Sequence, residues 1–114
     1  MGSLGSIAIE VEFEMNAGED SRSPGGAVTV ALCGHWDHDG PCRWPHSNRM
    51  HENSPPAVLR SVVVGPIEDH DEIARRIEDA LRNDTRWQVH HFVVGGVAED
   101  ERPLVLRLMA SRTR

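Results

Sequence analysis

The feature that most constrains the fold is residues 7–15, IAIEVEFEM, where apolar and acidic side chains alternate. Every second position is apolar, and these positions are Ile7, Ile9, Val11, Phe13 and Met15. Three positions between them are acidic, namely Glu10, Glu12 and Glu14. A period of two places alternate side chains on opposite sides of an extended chain. The segment is therefore predicted to be a strand with one face buried and the other in water.

Four further segments are predicted to be strands because they are short and rich in β-branched or other apolar residues. They are residues 27–33 (AVTVALC), 57–64 (AVLRSVVV), 86–94 (RWQVHHFVV) and 103–110 (PLVLRLMA). Turn formers dominate residues 16–26, so a loop is expected there. Glycines and prolines interrupt residues 34–56, which predicts a second and much longer loop.

Residues 68–83 are predicted to form the one helix. Acidic residues crowd its first turn and Arg82 lies near its end, as the helix dipole favours. Four apolar side chains fall on one face at helical spacing, namely Ile73, Ile77, Ala80 and Leu81.

The predicted order is β-β-β-α-β-β, which groups strands in runs and indicates an α+β fold. We expect a small, mostly antiparallel sheet of about five strands, one covering helix and a long Cys/His-rich loop after strand 2. The 114 residues are predicted to form a single domain, 1–114, large enough to fold without disulfides or metals. Residues 1–6 are expected to be disordered or left over from cloning, and residues 33–56 to be a metal-binding loop.

Charge and composition exclude several classes of partner. The formal net charge is −6, whereas binding to nucleic acid needs a cationic face. No apolar run approaches the roughly 20 residues that span a bilayer, so no membrane segment is expected. The start of the chain lacks the basic and apolar stretches of a signal peptide. We therefore expect a cytoplasmic protein whose two cysteines are reduced.

The chemistry of the chain is concentrated between residues 33 and 51. Six of the nine Cys and His residues fall there, namely Cys33, His35, His38, Cys42, His46 and His51. Thiolate and imidazole are the ligands that zinc prefers. The first choice of ligands is His35, Cys42 and His46, with Cys33 or His38 as the fourth and His51 as a more distant candidate. Zinc is the first choice of ion, and another first-row transition metal is the alternative.

The spacing matches no standard zinc motif, so the metal prediction rests on the density of Cys and His. One alternative is a His-rich surface loop in which Cys33 is simply a small buried residue. Another is a redox-active pair formed by Cys33 and Cys42. The loop also carries Trp36 and Trp44, which either pack beneath it or line a pocket for a ligand.

Three functions fit these features. In the first, zinc coordination holds the loop in one conformation and the domain is a binding module. The loop then presents Trp36, Trp44 and Arg43 to a protein or small molecule. In the second, an open metal position supports hydrolysis, with Asp37, Asp39 or Glu52 as general base. In the third, the domain binds no metal and pairs with a partner or a second copy through an exposed strand edge.

Overall fold

The computed structural model describes residues 3–33, 43–51 and 56–112. Its strands are β1 (Leu4–Met15), β2 (His46–His51), β3 (Ala57–Pro66) and β4 (Trp87–Gly95). Its α-helices are α1 (Ser23–Cys33), α2 (His70–Arg82) and α3 (Arg102–Arg112), and short 3-10 turns at Ile67–Asp69 and Glu99–Glu101 precede α2 and α3. Within these described ranges, no helix is both long and apolar enough to cross a membrane.

The four strands form one antiparallel sheet in the order β2-β3-β1-β4. Val11 in the middle of β1 is paired with Leu59 of β3 on one side and Phe92 of β4 on the other. The first six elements, β1-α1-β2-β3-α2-β4, thus have the ferredoxin-like order of strands and helices. Helix α3 is an addition at the C-terminal end.

The α+β class, the antiparallel sheet and four of the predicted elements are confirmed. The predicted strands 7–15, 57–64 and 86–94 correspond to β1, β3 and β4, and the predicted helix 68–83 corresponds to α2. The expectation of five strands and one helix is wrong, since the described residues form four strands and three α-helices. Part of the predicted long loop is also regular, because β2 lies within it.

Residues 27–33 belong to α1, not to a strand. Pro24, Val28 and Leu32 are the buried residues of α1, and they follow one another four positions apart. This spacing places them on one face of a helix. Gly25 lies close to β2, where an added Cβ would sit 3.4 Å from the Cβ of Asn48. The glycine that resembles a turn former therefore lies inside a helix, within contact distance of the sheet.

Residues 103–110 belong to α3, which again replaces a predicted strand. Pro103 occupies the first turn of the helix, where a missing backbone N–H costs little. Val105 is buried, and three partly buried side chains pack beside it, namely Leu104, Leu108 and Met109. A run of apolar residues this short suits either a strand or a helix face, so the surrounding structure decides between them.

The sheet separates two apolar clusters. The first, which we name the helix-covered face, lies under α1 and α2 and contains the apolar row of β1 together with Val28, Leu59, Ile73 and Ile77. The second, which we name the α3 face, is built from Ala8, Val62, Val64 and Val105. The two faces differ greatly in buried apolar mass.

Candidate functional site

The structure places two of the five predicted metal ligands. Cys33 is the last residue of α1 and His46 is the first residue of β2. The other three, His35, His38 and Cys42, lie outside the described residues, as does Trp36. Among the residues that the structure describes, no group of three His, Cys, Asp or Glu side chains is placed to share one ion.

Residues 34–45, which we name the connection, separate the last residue of α1 from the first residue of β2, and residues 34–42 lie outside the described part of the chain. In compact domains a helix and the next strand are usually separated by about 2–6 residues. Most of the predicted metal ligands lie in the connection or at its ends. Binding and catalytic residues occur disproportionately often on segments between regular elements.

Trp44 anchors the C-terminal end of the connection. Its side chain is fully buried, and its indole Nε1 donates a hydrogen bond to Asp69 Oδ2 at 3.1 Å. The ring lies against Gly65, where an added Cβ would come within 2.8 Å of Trp44 Cδ1. Of the two roles considered for Trp44, packing is therefore confirmed. A side chain with no exposed surface does not present itself to a partner.

Two arginines enclose the same indole ring. The Cζ atoms of Arg43 and Arg76 lie 4.4 and 4.9 Å from the ring centroid, within the range of cation–π attraction. A carboxylate oxygen of Asp69 lies 3.9 Å from Arg43 Nη2. The buried side chain of Trp44 thus fixes the C-terminal end of the connection beside α2.

His46 provides a second anchor, two residues farther along. Its Nδ1 lies 3.0 Å from the backbone oxygen of Trp44, and its Nε2 lies 3.0 Å from the hydroxyl of Thr29 on α1. A carbonyl oxygen only accepts, so Nδ1 carries the proton in the first of these hydrogen bonds. In the neutral ring, Nε2 then accepts from the Thr29 hydroxyl. Both ring nitrogens that could ligate a metal are thus engaged: Nε2 joins β2 to α1, and Nδ1 joins the ring to the backbone just before β2.

The hydrogen-bond chain continues into the sheet. Asn48 Nδ2 donates to the backbone oxygen of Gly25 at 3.0 Å and to the hydroxyl of Thr29 at 3.4 Å. Asn48 Oδ1 accepts from the hydroxyl of buried Ser61 at 2.8 Å. Sequence reasoning missed this network, because a polar strand with no apolar alternation gives no periodic signal.

A cleft of about 510 Å³ opens between α1 and β2, beside this network. Met50 and Leu59 supply apolar surface, and its polar lining comes from Ser21, Arg22, Thr29, His46 and Asn48. The cleft is large enough for a small organic molecule.

Cys33 has a chemical state that bears on the metal hypothesis. It is disulfide-bonded, so the expectation of a reduced cysteine is wrong at this position. Its side chain is partly buried and packs against the helix-covered face. A sulfur in a disulfide is not a thiolate, so Cys33 can bind zinc only after reduction. The other cysteine of the chain, Cys42, lies outside the described residues.

A charged contact on the opposite face of the sheet also escaped the sequence analysis. Arg60 of β3 makes a two-pronged contact with Glu101, with both nitrogen–oxygen distances at 2.7 Å, and contacts Glu10 at 2.8 Å. Hydrogen bonding from Arg60 lowers the pKa of Glu101 to about 2, against the opposing effect of burial. This contact fixes the start of α3 and is remote from the polar network of α1 and β2.

Comparison of the sequence with models of known protein families and with curated proteins finds no match. The function therefore has to be argued from the residues themselves.

Proposed function

We propose that the protein is a metal-binding domain, and that the region from Cys33 to His51 binds a zinc ion or another first-row transition metal. The observation that carries this proposal is that six of the nine Cys and His residues occur in this region. A soft thiolate combined with several imidazoles is a favourable ligand set for zinc.

The fold supports a functional role for this region because it holds the C-terminal end of the connection in place. Trp44 is anchored beside α2, and His46 is hydrogen-bonded to Thr29 of α1. A connecting segment that is held at its end on a rigid scaffold is well placed to carry a binding function.

The hydrogen bonds of His46 change the preferred ligand set. Because both of its ring nitrogens are engaged, we assign His46 to positioning the connection and not to the metal. The proposed ligands are then His35, His38, Cys42 and Cys33, and the two cysteines can bind the metal only when they are reduced. A reduced Cys33 fits the cytoplasmic location that we propose.

The direct test is elemental analysis of protein purified anaerobically with a reducing agent. We expect about one zinc per chain, the stoichiometry of a single four-ligand site. Cys42→Ser should lose most of the metal, and His46→Gln, the matched control, should keep it. Absence of metal from the reduced wild-type protein would refute the proposal, and loss of metal from His46→Gln alone would refute the ligand assignment.

Cobalt substitution tests the coordination sphere separately. Co²⁺ in a tetrahedral site with thiolate ligands has strong visible absorption, so the reduced wild-type protein should be coloured after substitution. Cys33→Ser should weaken the thiolate-to-cobalt absorption without abolishing it. An unchanged spectrum in that variant would remove Cys33 from the ligand set.

The cleft between α1 and β2 favours a second candidate, a metal-dependent hydrolase that binds its substrate there. This function requires three protein ligands and a water on the metal, instead of a closed shell. Azide added to the cobalt protein should then shift the visible spectrum, because it replaces the water. A spectrum insensitive to azide would leave only the binding module.

A further inference from the structure

The strand β4 forms one edge of the sheet, and its outer side carries a row of backbone groups available for pairing. Among the described strands, β4 pairs with β1 alone. The pairing is interrupted at His90, which the register skips between Val89 and His91. The longer uninterrupted part of the edge is therefore His91–Gly95. A strand edge of this kind readily adds another strand.

The composition of β4 does little to prevent such pairing. Natural edge strands are usually protected by charged residues or proline. Residues 87–95 contain no Asp, Glu, Lys, Arg or Pro, although 26% of the chain is charged. Val93 and Val94 are 59% and 47% exposed, one on each face of the sheet. The opposite edge strand, β2, is shorter and carries Arg49.

The charge distribution determines which partner this edge can accept. The net charge of −6 opposes self-association wherever acidic surfaces meet. If two β4 strands paired, the acidic rows on the two β1 strands would be three strand spacings apart, or about 14 Å. This separation exceeds the Debye length of about 8 Å at physiological ionic strength. Glu10 is in addition paired with Arg60.

We propose that the protein forms a homodimer through antiparallel pairing of its β4 edges, which joins two sheets into one. A two-fold axis between the strands brings Val93 and Val94 of each copy against the other copy. The added backbone hydrogen bonds and the covered valines stabilise the pair, and the uncharged edge introduces no repulsion. A second copy is the partner that presents this same uncharged edge.

The test is the mass in solution over a dilution series, measured by light scattering after size exclusion. The wild-type protein should approach twice the 12.7 kDa of one chain at high concentration and dissociate on dilution. Val93→Lys should be monomeric throughout, because two lysines would meet at the interface. Val94→Lys, which alters the other face of the edge, should also be monomeric.

Val30→Lys is the matched control, since it makes the same substitution at an exposed valine of α1. It should retain the dimer. Amide exchange supplies an independent readout that also verifies folding: residues 91–95 should exchange more slowly in the dimer, and Val93→Lys should abolish this protection while leaving β1 protected. A wild-type protein that is monomeric at every concentration, or a dimer disrupted only by Val30→Lys, would overturn the proposal.

Discussion

The two faces of the sheet are stabilised by different means. Of the residues that the structure describes, thirteen buried ones from three strands, two helices and Trp44 form the apolar cluster of the helix-covered face, whereas four form that of the α3 face. The α3 face has instead the ion pair of Arg60 with Glu101, at 2.7 Å. Buried apolar area is the main source of folding free energy, so the helix-covered face should determine global stability. The α3 face should determine only whether α3 stays docked.

The sequence of β1 already contains this asymmetry. Its apolar side chains point to the helix-covered face, and Glu10, Glu12 and Glu14 point to the face that α3 only partly covers. A side chain such as Arg60 can be accommodated on the second face because a carboxylate compensates its charge. The comparison teaches that the polar side of an amphipathic strand can be covered in part by a small apolar cluster together with an ion pair.

The largest expected effect comes from truncating the anchor of the helix-covered face. Trp44→Ala should lower the free energy of unfolding by about 4 kcal/mol, since it leaves a large cavity and removes the hydrogen bond to Asp69. Val105→Ala on the α3 face should cost about 1.5 kcal/mol. Urea denaturation followed by circular dichroism measures both. Equal losses of unfolding free energy in the two variants would contradict the proposal that the helix-covered face determines global stability.

A smaller effect is expected from the ion pair of the α3 face. Glu101→Gln should cost about 2 kcal/mol, because Arg60 loses a charged hydrogen-bonding partner. The loss should be local, so amides of residues 102–112 should exchange faster while those of β1 stay protected. Glu99→Gln, an exposed change in the same turn, is the control. Faster amide exchange throughout the sheet in Glu101→Gln would instead show that the docking of α3 contributes to global stability.

The same ion pair should make the docking of α3 sensitive to acid. The pKa of Glu101 is lowered from 4.5 to about 2 in the folded protein, chiefly by its hydrogen bonds with Arg60. A lowered pKa stabilises the folded state at pH values above 4.5, and this contribution is lost as the pH falls towards 2. Glu101→Gln should therefore reduce the difference in stability between pH 6 and pH 3. An identical pH dependence in wild type and variant would contradict this.

The smallest effect is expected from the polar network between α1 and β2. Thr29→Val removes one hydroxyl and leaves His46 Nε2 without that partner, which should cost about 1 kcal/mol. Val30→Thr, at the neighbouring exposed position, is the control and should be nearly neutral. Thermal unfolding measures both variants. A stabilised Thr29→Val would show that apolar packing can replace the network.

Elements with a strong periodic pattern were predictable from the sequence. The alternation in β1 and the helical spacing of Ile73 and Ile77 each correspond to one structure and to one buried face. Residues 57–64 and 86–94 were assigned correctly for a related reason, because β-branched runs between turn signals have few alternatives. In these elements the local preference and the tertiary packing agree.

Two other apolar segments fit a helix and a strand equally well. In α1, Val28 and Leu32 satisfy both a period of two and a spacing of four, and Gly25 with Gly26 suggested a turn. In α3, the run from Leu104 to Met109 was too short for its period to be decisive. Both segments were predicted as strands. In the structure both are helices whose apolar side chains pack against a face of the sheet.

The candidate site was predictable only in its composition. The sequence identified the region from Cys33 to His51 by its density of Cys and His. It did not reveal that His46 begins a strand and hydrogen-bonds to Thr29, or that Trp44 is buried. Those contacts join residues far apart along the chain, and no local pattern encodes them.

The sequence by itself determined three features: the amphipathic strand β1, the helix α2 with acidic residues in its first turn, and the high density of Cys and His between residues 33 and 51. The strand and the helix follow from periods of two to four residues, and the concentration of Cys and His follows from composition. A short segment contains each of these signals, whatever the rest of the chain is. The tertiary structure decided the identity of α1 and α3, the existence of β2, and the roles of Trp44 and His46. In each of these cases the deciding free energy comes from burial or hydrogen bonding against a segment far away in sequence. Those contacts exist only once the chain has folded.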